Sequence, residues 1–354
     1  MTASDRADVW VLLGPHKGDN DQVLALAEAL GLPFRAIQMR YRWFAHLPAV
    51  LRSVTIAQLQ PQVCDQITAP WPSLVIGIGQ RSAPVARYIQ RASEGRTRTV
   101  RLGDPMVSHR LFDLVITTTQ YAVRDADNVV RLPIAVTRRE IVKPDNDEQL
   151  WLERFAQPRR LLVIGGRTSL WRLDPGIVTE AARRLQRRAE LEGGSVIAVT
   201  SPRTTESLVT AAQDALGTDA VVQDRFPRYA ALLHAADEIH VTGDSVSMLS
   251  DAVASGKPVG LIPLELDAAG KFVRSVAKLR GRPFRIRDLA RFWDGLRSRG
   301  LAGSIEHPRC APMEAAPIDI AVSAVRTVLH QDRNVLVPAT AFPALQSAPE
   351  ALAL

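Results

Sequence analysis

Three strand-to-helix junctions in the second half of the sequence bring together glycine, hydroxyl and arginine side chains, the residue types that hold a phosphate without a metal. In residues 230–263, AALLHAADEIHVTGDSVSMLSDAVASGKPVGLIP, a strand at 239–242 runs into Gly243-Asp244-Ser245 and then a helix over about 246–254. The start of such a helix offers unpaired N–H groups and a partial positive charge, and Ser245 and Ser247 add hydroxyl donors for a phosphate oxygen. Asp251, one to two turns on, is spaced to accept from ribose hydroxyls. The same residues also suit an ordinary βαβ unit in which Asp244 or Ser245 only caps the helix.

Two further strand ends point to the same face. The strand at 161–164 ends in Gly165-Gly166-Arg167-Thr168-Ser169, where glycine permits close backbone approach and Arg167 can pair with phosphate. The strand at 196–199 leads into Ser201-Pro202-Arg203-Thr204-Thr205 before another helix. Each loop alone is compatible with a plain turn; in a parallel sheet, ligands gather at the carboxyl ends of strands, so the three carry more together.

In the first half, the strand at 9–13 runs into Gly14-Pro15-His16-Lys17-Gly18-Asp19-Asn20-Asp21-Gln22 and an apolar helix. This is neither a GxGxxG nor a Walker A sequence, which removes dinucleotide and P-loop readings. His16 or Asp19 could act as general base facing a cleft, and Lys17 stands out in a chain poor in lysine; a solvated loop or a helix cap is the competing role for each. Gly77-Ile78-Gly79-Gln80-Arg81-Ser82 has the same strand-to-helix form, and Asp104-Pro105 closes another strand. Residues 35–52, RAIQMRYRWFAHLPAVLR, interleave arginines with aromatics, which suits either docking on anionic lipid or a half-buried helix covering the first sheet.

The elements that must position these loops are legible as short apolar runs followed by helix-like stretches, the signature of parallel βαβ architecture. The runs fall at 9–13, 34–37, 74–78, 99–102, 114–117 and 129–132, then at 161–164, 196–199, 220–222, 239–242 and 259–262. The pattern predicts an α/β protein of two Rossmann-like domains, their parallel sheets facing a cleft: 1–135, a polar linker at 136–158, and 159–330. Past residue 275 the pattern weakens into helices expected on the periphery of the second domain, the last able to cross back to the first. A loosely ordered tail is expected over 331–354.

The 354 residues suffice for two cores, and 46% hydrophobic with 23% charged residues is globular composition. No apolar run approaches the roughly 20 residues of a spanning helix. The N-terminal residues lack a basic-then-apolar signal region, so a cytoplasmic chain is expected, soluble or peripheral at the inner membrane face. Cys64 and Cys310 have neither disulfide-framework nor metal spacing. The net charge of +7 suits a polyanionic partner, but only five of the 44 basic residues are lysines, and they form no zinc-finger, RRM or basic-helix pattern. Nucleic acid is therefore not expected as a partner.

Taken together, the first loop with LALAEALG, LVIGIGQRSAPVARYI, VIGGRTSLW, VTSPRT and VTGDSVSMLSDAVASGKPVGLIP resemble the mitochondrial-fission ELM type family, the plant elongated-mitochondria protein and its bacterial homologues, over roughly residues 8–265. The resemblance implies a GT-B glycosyltransferase whose C-terminal domain holds a UDP- or GDP-linked sugar donor and whose N-terminal domain holds the acceptor. On it, Gly166, Arg167, Ser201, Arg203, Asp244, Ser245, Ser247 and Met248 approach the diphosphate and Asp251 the ribose. Asp19, His16 and Lys17 are the catalytic candidates, although Lys17-Gly18-Asp19 stands where the family often has Pro-Gly-His. With no DxD carboxylate pair of the metal-dependent sort, neither metal nor separate cofactor is expected, and the acceptor is expected to be a lipid or envelope glycan. A nucleotide-sugar 2-epimerase and a non-catalytic membrane-recruitment protein are the alternatives, and fold alone does not separate them.

Overall fold

A computed structural model describes residues 8–138, 142–223, 226–280 and 287–330; the stretch from Gln331, expected as a tail, lies outside them. The first six apolar runs are strands β1 (Val9–Leu13), β2 (Phe34–Gln38), β3 (Leu74–Ile78), β4 (Arg98–Leu102), β5 (Leu114–Thr118) and β6 (Val129–Leu132). They form one parallel sheet in the order β2-β1-β3-β4-β5-β6. Both faces are covered, which is why β1, β3 and β5 read as nearly unbroken apolar runs. Valines and isoleucines of β1, β3, β4 and β5 pack on α1 (Lys17–Leu30), and Trp10, Leu12 and Val75 face the other side. That side is closed by the short helices α2 (Pro48–Arg52) and α3 (Pro61–Cys64) and by α4 (Ala83–Ala92). Residues 35–52 form no continuous helix: β2 gives way to a turn that leaves Trp43 82% exposed, and α2 follows.

The second sheet contains β7 (Arg159–Ile164), β9 (Ser195–Thr200), β10 (Val221–Val222), β11 (Glu238–Thr242) and β12 (Val259–Ile262), parallel in the order β10-β9-β7-β11-β12. A two-residue antiparallel ladder of β8 (Trp171–Arg172) with β13 (Glu265–Leu266) is too short to leave a periodic signal and escaped the sequence pattern. The remaining helices are α5 (Asn146–Leu152), α6 (Pro175–Glu192), α7 (Glu206–Leu216), α8 (Tyr229–Ala235), α9 (Val246–Ala254), α10 (Ala268–Leu279), α11 (Leu289–Ser298) and α12 (Pro317–His330).

Two of these helices differ from expectation. Within the stretch expected as a linker, α5 is fixed by a reciprocal cap between Asp145 and Glu148, and its Leu152 is fully buried in the second core. The Arg228 guanidinium and backbone N–H on Glu148 hold that carboxyl down at about 2 and attach α5 to the start of α8. Instead of lying on the periphery, α11 inserts Leu289, Phe292, Trp293 and Leu296 into the second core. The Trp293 indole donates to the Gly243 carbonyl at 3.0 Å and packs edge-on to Trp171. A Cβ on Gly243 would lie 2.6 Å from that indole, so glycine here makes room for the helix.

The last described helix crosses back. Ile318, Ala321, Ala324, Val325 and Val328 of α12 lie in one cluster with β1, β3, β4, β5 and α1, completing a face of the first sheet. Replacing Ile318 with alanine is expected to cost about 2–5 kcal/mol. Urea denaturation measures the loss, and hydrogen exchange locates it: amides of β4–β6 lose protection before those of β7, β9 and β11.

Candidate functional site

The carboxyl ends of the two sheets meet. Asp288 donates its N–H to the Gln120 carbonyl beyond β5, the Ala135 N–H reaches the Ser250 hydroxyl of α9, and a Cβ on Gly18 would lie 3.2 Å from Ser247 Oγ. The N-terminus of α1 thus faces the N-terminus of α9 across the interdomain cleft.

In the second sheet the strand order reverses between β7 and β11, the position at which open parallel sheets bind ligands. The loops after these strands are tied by Asp244, whose side chain is fully buried. Its Oδ2 accepts from the Gly166 N–H at 2.9 Å, and its Oδ1 from the Thr242 hydroxyl at 2.7 Å. Thr242 Oγ1 in turn accepts from the Gly165 N–H. A Cβ on Gly165 would fall 1.9 Å from Asp244 Oδ2, and one on Gly166 would fall 2.1 Å from the Arg203 carbonyl. Burial raises the Asp244 carboxyl; the Thr242 and Gly166 hydrogen bonds and the Arg203 charge oppose it. Asp244 and Gly166, expected at the diphosphate, therefore spend their polar groups on each other.

That brace leaves the rest of the loop set presented to the cleft. Ser245 caps α9, accepting from the Met248 N–H, and this satisfies only one of the helix's first N–H groups. Met248 has its side chain against the second core. Arg203 is exposed, donating to the Arg167 carbonyl and lying 3.9 Å from Asp244; Arg167 is exposed beside it. Ser201 is held in a turn by Thr204, whose hydroxyl also donates to the Gly165 carbonyl.

On the facing wall, Asn20 clamps the first loop through both the N–H and the carbonyl of Gly14. Asp19 is half-buried there, and burial raises its carboxyl against the attraction of Arg287, His16 and Arg203. Tyr121, past the end of β5, shares this field: burial raises its hydroxyl, with Arg287, Asp19, Gln120 and Asp104 within electrostatic reach. Nearby, Arg101 lies fully buried beneath the Gly79–Ser82 turn, donating to the Ser82 hydroxyl and the Gly79 carbonyl; burial brings it down to about 10. A Cβ on Gly77 would sit 2.3 Å from its guanidinium.

The candidates from sequence thus separate into two electrostatic groups. Asp19 joins Arg203, with His16 exposed at the rim. Lys17, 82% exposed, is paired instead with Asp21 at 2.6 Å. Asp251 belongs to this second group: burial, and the nearby Asp21 carboxylate, push it up to about 7 against Lys17 and Arg138. Arg138 also holds Glu28 and lies 3.8 Å from Asp21, so the seam between the domains is an ion cluster. The Tyr229 hydroxyl, raised by burial and next by Asp251, is buried without a hydrogen-bond partner among the described residues. Sequence reasoning missed Tyr121 and Arg287. Tyr121 was findable as a polar aromatic just past a strand's carboxyl end; Arg287 was hidden in a run of arginines.

The sequence pattern of the family described as mitochondrial fission ELM1 matches residues 17–318. Among curated proteins the chain is similar to uncharacterized protein RP120 of Rickettsia prowazekii (strain Madrid E), 26% identical over 110 residues. That match spans 31% of this chain and 31% of the relative, less than a third of its length. Among solved structures it is similar to the UDP-GlcNAc 2-epimerase from Neisseria meningitidis bound to UDP-GlcNAc, at 11% identity, TM-score 0.47, covering 91% of this chain and 99% of that one. It is also similar to Arabidopsis thaliana UGT89C1 complexed with UDP-L-rhamnose, at 11% identity, TM-score 0.47, covering 91% and 98%. A third likeness is WaaG, a glycosyltransferase involved in lipopolysaccharide biosynthesis, at 12% identity, TM-score 0.38, covering 84% and 97%. The two parallel sheets with their carboxyl ends at one cleft are the GT-B type of α/β fold.

The seam cluster has a measurable pH signature. Because the native Asp251 carboxyl keeps its proton well above its ordinary value of 3.8, ionising it costs native stability, and that cost grows as pH rises until it is complete above about 7. Asp251→Asn removes the cost. Its melting temperature relative to wild type should rise by a few degrees between pH 5 and pH 8; a difference independent of pH would remove the burial of this carboxylate from the account.

Proposed function

We propose, from the premise that this chain belongs to the mitochondrial fission ELM1 family, that its cleft binds a nucleotide-diphosphate sugar and transfers the sugar to a hydroxyl of a lipid or envelope-glycan acceptor. The observation that carries the reading is the placement of one raised carboxyl, Asp19, against two arginines from the other domain, Arg203 and Arg287. The N-terminus of α9 lies across the same cleft. In the transfer, the bond between the anomeric carbon and the diphosphate oxygen breaks and one to the acceptor oxygen forms. The acceptor proton passes to Asp19, and the leaving diphosphate takes the negative charge. Arginine, the Ser245 and Ser247 hydroxyls and helix N–H groups stabilise that charge without a divalent cation. Burial raises the Asp19 carboxyl above its ordinary value, the direction that makes a carboxylate a stronger base.

The reading places the acceptor in the first domain and the chain at the cytoplasmic membrane face. Among the described residues no helix is long and apolar enough to cross a membrane, so association there is through the surface. A second reading, 2-epimerisation of the nucleotide sugar, is favoured by Asp104 and Tyr121 in the same field as Asp19, since it needs several acid groups around the sugar. The two separate by product: the epimerase converts the nucleotide sugar into its C2 epimer with no acceptor present and no net release of nucleotide, whereas the transferase releases the nucleoside diphosphate as the acceptor is glycosylated.

Thermal shift against a nucleotide panel tests binding. UDP or GDP should stabilise the wild type and lose that effect in Arg203→Ala and in Ser245→Ala; no response to any nucleotide favours a non-catalytic recruitment role. Once a donor is known, Asp19→Asn should lower kcat by about 10²–10⁴-fold. Turnover should survive a chelator, and an absolute requirement for Mg²⁺ or Mn²⁺ would count against the mechanism.

A further inference from the structure

Helix α10 is built the wrong way round for a helix that only covers a core. Of its residues only Gly270 is buried, held against the Leu170 carbonyl so closely that a Cβ would fall 2.5 Å from it. Asp267 caps the helix, accepting from the Gly270 N–H at 2.7 Å. Phe272 is 70% exposed and Leu279 87% exposed, with half-buried Val276 between them. The spacing i, i+4, i+7 puts these three on one face. Lys271 and Lys278 flank the ridge on one side and Arg280 on the other, and residues 268–280 contain no acidic side chain. Arg274 points inward, paired with Asp288 at 3.5 Å and lying over the Trp171 ring. A solvated surface helix turns its apolar residues inward and mixes both signs of charge outside. Here the ridge is apolar, its borders are cationic apart from Glu265, which lies before the helix 3.9 Å from the Lys271 ammonium, and the inner side is the anchor.

We propose that the Phe272-Val276-Leu279 ridge of α10, with Lys271, Lys278 and Arg280, is a docking surface for an anionic phospholipid membrane. An amphipathic helix lying in the interface seats apolar side chains at the acyl boundary while flanking cations meet phosphate headgroups. Its place in the fold connects docking to the cleft. The helix follows β13, whose partner β8 comes directly after the Gly165–Ser169 loop. Asp288, which holds Arg274, adjoins the Arg287 that faces Asp19. Docking through α10 therefore brings the mouth of the cleft to the bilayer, where an acceptor with a lipid tail arrives. This deepens the membrane part of the proposed function and rests on it.

The experiment sediments the full chain with phosphatidylcholine vesicles, with and without phosphatidylglycerol. It compares wild type, Phe272→Asp with Leu279→Asp, Lys271→Glu with Lys278→Glu, and Trp43→Asp, while thermal shift with UDP monitors folding and the nucleotide site. Wild type should sediment with the anionic vesicles, less so in high salt. The apolar double variant should bind at least about tenfold more weakly, the charge variant should lose its preference for phosphatidylglycerol, and both should keep the wild-type response to UDP. Vesicle binding that survives in both α10 variants, or is lost only in Trp43→Asp, overturns the assignment to α10 and leaves the membrane reading standing. A wild type that binds no vesicle overturns both.

Discussion

A buried carboxylate at the point where the second sheet reverses its strand order is the constraint on which the rest of the candidate site depends. Asp244 has no solvent to stabilise it, so its oxygens must be met by fixed donors, and the donors are the backbone of one loop and the hydroxyl at the end of another strand. That requirement fixes the distance between the ends of β7 and β11. It also demands glycine at 165 and 166, because any Cβ there would occupy the space of the carboxylate or of the Arg203 backbone. The side of the loop turned to the cleft is then left to Ser245, Ser247 and Arg203. Turned inward, the Asp244 carboxyl organises the loop without presenting its charge to the cleft.

The first domain uses the opposite charge for a similar purpose. Arg101, fully buried under the turn after β3, donates from its two terminal guanidinium nitrogens to the Ser82 hydroxyl and the Gly79 carbonyl, and Gly77 leaves the volume it needs. Each sheet thus has a buried charged side chain that stiffens a strand-end loop, while Asp19 and Tyr121 stay half-buried at the cleft. Preorganised loops of this kind cost no rearrangement when charge develops in the cleft.

The central strands were legible because strands buried on both faces must be apolar over their length; all eleven runs are strands of the two sheets, including the edge strand β2, which is exposed at all its residues but Ile37. The glycine, hydroxyl and arginine loops were legible for a related reason: strand ends announce themselves. What periodicity could not convey was contact between segments remote in sequence. Nothing local in GDS says that its aspartate faces a glycine 78 positions earlier, and nothing in an arginine-rich segment says which arginine crosses the cleft. The Trp293 indole under Gly243 is the same kind of fact. The short ladder of β8 and β13 was invisible because two residues have no period.

The return of α12 to the first sheet bears on how the protein is made. During synthesis from the N-terminus, β1 to β6 emerge long before Ile318 to Val328, so the part of that face over β4 to β6, beyond the cover of α1, stays unroofed while the whole second domain is translated. The nascent chain must keep that greasy surface from sticking elsewhere, and the first domain cannot be a finished foldon until the second exists. The chain consequently passes from one domain to the other twice, once between β6 and α5 and once before Pro317. Two covalent connections restrict how far one domain can turn against the other more than a single one would.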